Sequence, residues 1–143
     1  MSEWISRPAT ETRVVGVRVP ADLSQLTMLR ALAETVSLIA EFAVDEVTDI
    51  RVALDEVATA LIVAALPDGA VECEFEFDER GIKVRAESVV TVPDALDEHG
   101  FAWQVLATIT EDLAAQRKPF DSDLGGYPIS VEFSQLRTGS GPR

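Results

Sequence analysis

Cysteine and histidine are almost absent: Cys73 and His99 are the single representatives of each in 143 residues. One cysteine excludes an internal disulfide and a cysteine-rich zinc site. One histidine excludes a metal cluster or catalytic triad built on several imidazoles, and no metal site is expected. Bases are scarce, 12 against 25 acids, which leaves a net charge of −13. That balance argues against direct nucleic-acid binding, where basic surface supplies most of the affinity. It favours a basic protein partner, beyond the solubility that net charge confers. No apolar run approaches the ~20 residues that span a bilayer. The first residues, MSEWISRPATETR, lack the layout of a secretory signal. A cytoplasmic protein without membrane contact is therefore expected. A hydrolase elbow, a Gly-Lys-Ser/Thr phosphate loop and a calcium loop are likewise missing.

What is present is an apolar fraction of 47%, enough for one folded domain with a real core. Residues 1–12 and 138–143 read as loose ends around a single domain at 13–137. Arg13 to Pro20 is valine-rich and reads as a strand. A helix capped by Asp22 or Ser24 follows to about Phe42, with Leu26, Leu29, Ala33, Val36 and Ala40 as its apolar stripe. A second helix runs from about Asp45 to Leu66 and ends at Pro67-Asp68-Gly69. Ala70–Phe77 and Ile82–Ser88 alternate cleanly around the turn at 78–81. Pairing Phe77 with Ile82 sets Glu76 opposite Lys83 and Glu74 opposite Arg85, which supports that register. A third helix is expected over 101–115, with Ala102, Val105, Leu106, Ile109 and Leu113 inward, then a last strand over 127–136. The order predicts an α/β (α+β) two-layer sandwich, a mixed sheet with helices packed on one face.

The stretch DIRVALDEVATALI, residues 49–62, holds one acid, Glu56, in a largely apolar helical context. Val52, Ala53, Thr59, Ala60 and Val63 surround it at helical spacing. A buried unpaired carboxylate is costly. Glu56 is therefore either a solvent-facing helix-edge acid or a contact to a ligand or partner.

The order of elements, with DEVTDIRVALDEVATALI (45–62), IKVRAES (82–88) and HGFAWQVLATITEDL (99–113), resembles the RsbW-type anti-sigma factors, a branch of the GHKL (histidine-kinase-like, Bergerat) ATPase fold. The resemblance spans about Val14 to Arg137. It implies that Glu56 matches a catalytic base and that Ala60 stands where the family has a magnesium-holding asparagine. Ala86 matches the aspartate that binds the adenine amino group. Ser88 and Val90 match the two glycines that follow that aspartate. Gly100 matches a glycine of the second glycine-rich segment, where another glycine reads as Ala102. Alanine offers no oxygen to a hard cation. No cofactor is therefore required, and ATP with magnesium is expected to bind weakly if at all, through backbone amides where the third helix starts.

The resemblance further implies an anti-sigma factor that sequesters an alternative sigma factor. Release would come from an anti-anti-sigma protein of the STAS type. The alternatives are an ATP-dependent serine/threonine kinase that phosphorylates that antagonist, and a binding-only regulator of another signalling protein. Arg30 matches a family arginine on the surface shared by sigma factor and antagonist; a solvated helix arginine is the plainer reading. The 13–20 strand and the first helix resemble a dimerisation region, so a homodimer is expected. Cys73 reads as a core side chain, and Trp103 as a core-edge aromatic or a partner anchor. His99 with Asp94, Asp97 and Glu98 reads as a loop at the nucleotide rim.

Overall fold

The computed structural model describes residues 11–137. The expected loose ends lie outside those residues, apart from Glu11 and Thr12. The elements are β1 (Arg13–Pro20), a 3-10 turn (Leu23–Gln25), α1 (Leu26–Ile39), α2 (Val44–Ala64), β2 (Ala70–Phe77), β3 (Gly81–Val90), α3 (Phe101–Ile109), β4 (Glu111–Arg117) and β5 (Tyr127–Leu136). The five strands form one sheet in the order β1-β2-β3-β5-β4.

All four pairings are antiparallel, which corrects the expected mixed sheet. The reason is a strand that the sequence reading missed. With one helix between β3 and the last strand, the two would run parallel. The segment Glu111–Arg117 forms β4 instead of ending a helix. That extra reversal brings β5 back antiparallel to β3. The α3 helix accordingly stops at Ile109, where the Thr110 hydroxyl donates to the Leu106 carbonyl at 2.6 Å. Asp112 adopts a φ of 51°, and the register shifts between Glu111 and Ala114. Of the residues expected inward on this helix, Leu106 is buried, Val105 and Ile109 are half-buried, Ala102 is exposed and Leu113 lies on β4.

The hairpin has the expected register, with Phe77 on Ile82, Glu76 on Lys83 and Glu74 on Arg85. It also sets Glu72 against Glu87, two like charges face to face. Arginines relieve the repulsion: Arg18 reaches Glu72 at 2.8 Å from β1, and Arg85 reaches Glu87 at 3.0 Å along β3. These charges lie on the solvent side of the sheet. On the other side Val71, Cys73, Phe75 and Phe77 meet Ile82, Val84 and Ala86, together with Ile129, Val131 and Phe133 of β5. The predicted α1 stripe is buried in full, and Ile50, Ala53, Leu54, Val57, Ala58, Leu61 and Ile62 supply the α2 stripe. Both form one continuous core with the inner face of the sheet. Burial pushes the Cys73 thiol up to about 12, so it stays protonated as a core group.

Two local devices position α2. Its first turn is capped by Glu46, whose carboxylate accepts from the Ala43 amide at 2.8 Å, so this buried acid is satisfied. Its far end is tied to β3. The Thr91 amide donates to the Ala64 carbonyl at 2.8 Å, the Leu66 amide donates to Val89 at 3.2 Å, and Ala65 bridges Val90. Among the described residues no helix is long and apolar enough to cross a membrane.

Candidate functional site

The residues singled out by the resemblance fall on α2, the end of β3 and the start of α3. Glu56 is exposed, one turn from Val52 and two from Val63, both exposed. Among the described residues it makes no side-chain hydrogen bond or ion pair. Ala60 is half-buried, one turn further along the helix. Ala86 is 1% exposed, with Cys73 and Val131 as its cross-strand neighbours. Val90 is likewise 1% exposed and forms part of the core. The Ser88 hydroxyl donates to the Ala70 carbonyl of β2 at 2.7 Å, so its side chain is spent inside the sheet. Gly100 caps α3, and its amide donates to Asp97 O at 3.0 Å. Of these positions only Ser88 touches a groove of ≈ 390 Å³, which is lined by Arg18, Glu72, Arg85, Glu87, Gln116 and Lys118 of the solvent face of the sheet.

In the places that the resemblance implies for them, these side chains do not fit ATP with magnesium. The cation would meet a methyl group at Ala60, where it needs oxygen. The adenine amino group would meet a buried methyl at Ala86, which cannot accept a hydrogen bond. The phosphate loop would begin at a packed valine, where close backbone approach favours glycine.

The loop between β3 and α3 is held down over this region. Leu96 is buried at its centre. Arg117 of β4 pairs with Glu98 and donates a second hydrogen bond to the Leu96 carbonyl at 2.6 Å. Asp97 turns the chain by accepting from the His99 amide at 2.9 Å. Trp103 is half-buried against the core, so the core-edge reading holds. Arg117 was not visible as a functional residue in the sequence. It follows a stretch read as helix, and its partners lie 19 and 21 residues away. Arg117→Ala is expected to raise amide exchange across 94–100 by tenfold or more in hydrogen–deuterium exchange, with β2 and β3 unchanged. Equal protection in both proteins would show that Leu96 alone holds the loop.

Arg30 lies on the outer seam between α1 and α2. Its Nε donates to the Asp55 carboxylate at 2.7 Å, and Arg51 meets Glu34 at 3.5 Å one turn away in the antiparallel direction. The hydrogen bond and charge of Asp55 raise the guanidinium above its ordinary value. Arg30 is thus a surface arginine paired with Asp55. Its partner Asp55 is 25 residues away and was not foreseen. The outer surface of α1 and α2 gathers Arg30, Asp55 and Glu56 with exposed Leu38, Val44, Val52 and Val63. This arrangement suits protein contact: the charges lie outward, the apolar groups are exposed, and none of these residues lines the grooves described among residues 11–137.

No protein-family model matches the chain. Two curated proteins, both named "Anti-sigma-F factor RsbW", are similar to it. One is from Mycobacterium tuberculosis strain CDC 1551 / Oshkosh and the other from strain ATCC 25618 / H37Rv. Each is 28% identical over 128 residues, covering 90% of this chain and 76% of the relative. Over nine tenths of its length, the chain resembles the RsbW-type anti-sigma factors.

Proposed function

We propose that this protein is an anti-sigma factor that works by sequestration: it binds a sigma factor and needs no nucleotide to do so. The single observation that carries this reading is the similarity along 90% of the chain to proteins named as anti-sigma factors, joined to a nucleotide region whose positions are filled. Ala86 and Val90 are core residues here. Ala60 offers no magnesium ligand. A fold of this kind without those ligands is what a protein used for binding alone would have.

Release by an anti-anti-sigma protein of the STAS type belongs to the same reading. A surface shared by both partners makes their binding mutually exclusive, and Arg30 with its neighbours is where that competition is placed. A homodimer through β1 is also part of it, supported by the exposed Val14 and Val15 on an edge strand. The kinase reading has one observation in its favour, the solvent-facing Glu56; Ala60 and Ala86 speak against it.

The test is co-expression with each sigma factor of the same genome, followed by gel filtration after dialysis against EDTA. The expected result is one stable complex that survives removal of nucleotide and magnesium. Failure of every sigma factor to bind, or a complex that forms only with ATP and magnesium, would sink the proposal.

A further inference from the structure

The solvent arc of α2 carries a pattern that folding does not require. Asp45, Thr48, Val52, Glu56, Thr59 and Val63 recur at three- and four-residue spacing on one side of the helix, over about 27 Å at 1.5 Å per residue. The non-acidic positions of this line are all β-branched, and so is Val44 at the start of the helix, 79% exposed. Val63 is 70% exposed. Valine and threonine lower helix propensity, and Val44 and Val63 return little of that by burial within their own chain, while Val52 and Thr59 are partly covered. A local choice that opposes the element it sits in points to a use outside the fold. In a helix valine holds one dominant rotamer and threonine two, so docking against them orders little that is not already ordered.

The charges on the two flanks differ. Toward α1, Asp55 and Glu34 are neutralised by Arg30 and Arg51. On the other flank Asp45, Asp49 and Glu56 share one line, four and seven residues apart. Among the described residues none of the three has a hydrogen bond or an ion pair. From Asp22 to Asp68 the chain holds nine carboxylates and two guanidinium groups.

We propose that this arc docks an amphipathic helix of a partner whose contacting face sets lysine or arginine beside an apolar line. The inference rests on the protein-binding reading above and names the element that is gripped. The apolar line of the partner covers Val52, Thr59 and Val63, and its bases run along Asp45, Asp49 and Glu56. A second copy of the same arc would set acid row against acid row, and a nucleic acid would meet the same repulsion. Both fit worse than a basic helix.

Two synthetic 20-residue helical peptides test this, each with the same leucine line, one flanked by lysines and the other by glutamates. The full chain is titrated with each at low and physiological salt by fluorescence anisotropy. The expected result is binding of the lysine peptide alone, weakened at least tenfold in Asp45→Lys/Asp49→Lys/Glu56→Lys. A control, Glu72→Lys/Glu74→Lys/Glu76→Lys on the solvent face of the sheet, changes net charge equally and should alter affinity less than twofold. Equal loss in both variants, binding of the glutamate peptide or no binding at all overturns the proposal. Hydrogen exchange of the unaltered protein reads the footprint without any variant: protection of 45–63 by the lysine peptide supports the proposal, and protection elsewhere overturns it. A sigma factor that forms the complex yet leaves 45–63 unprotected refutes this inference and keeps the proposed function. A lysine-peptide footprint on α2 with no sigma complex does the reverse.

Discussion

Ala86→Asp, which installs the acid that the nucleotide-binding pattern calls for, is expected to destabilise the protein by about 3 kcal/mol or more at neutral pH. The melting temperature should fall by roughly 10 °C in a domain of this size. Ala86 is 1% exposed, and its cross-strand neighbours Cys73 and Val131 offer at most a weak thiol donor. A carboxylate there loses its water and gains no cation. Desolvation raises its folded pKa above the unfolded value. The folded state therefore holds the proton more tightly than the unfolded state. The penalty is smallest below the ordinary aspartate range, grows as pH rises through it, and levels off above the raised folded pKa. Thermal melts of both proteins from pH 4 to pH 8 check the size and the sign. An unchanged melting temperature, or one restored by ATP and magnesium, would mean that this position opens onto a working pocket.

The same physics separates what could be read from the sequence from what could not. The β2–β3 hairpin was legible because strict alternation and opposite charges across the turn agree on one register, and a one-residue slip would bury glutamates. The stripe of α1 was legible because 3.6-residue periodicity persists over 14 residues, and α2 was legible as a helix though its stripe was not. β4 was not. Its sequence, EDLAAQR, is rich in helix formers, and as an edge strand paired only with β5 it carries no alternating apolar signal. Pairing with β5 overrode local preference, and the error spread to the sheet, expected mixed and found antiparallel. At the site, the altered positions could be placed from the resemblance, and strand alternation put Ala86 on the inward side, but the neighbours that pack against them could not be read. Ala86 as a missing acceptor is a statement about sequence; Ala86 as a packed methyl needs three strands in register. The Arg30–Asp55 and Arg117–Glu98 pairs join residues far apart in the chain and depend on helix and strand packing that no local pattern encodes.

Val90→Gly should cost about 2–4 kcal/mol and open no nucleotide site. Val90 ends β3 as a core residue, opposite Tyr127 and bridged to Ala65 just past the end of α2. Removing its side chain leaves a cavity in a packed layer and loosens the strand backbone. Neighbouring backbone crowds in as well: a Cβ at Gly126 would lie 2.7 Å from the Val90 carbonyl. The glycine that a phosphate loop needs would thus return to a segment tied on two sides, by the Thr91 amide to Ala64 and by Ala65 to Val90. Denaturant melts measure the loss of stability, and titration with a fluorescent ATP analogue measures any gain of binding. The expected pair of results is a lower midpoint with no saturable binding, while the proposed partner complex persists where the variant is folded, because the docking surface proposed on α2 is untouched. Saturable ATP binding to this single variant would mean that one valine closes an otherwise intact cleft. Catalysis by Glu56 would then have to be weighed again beside sequestration.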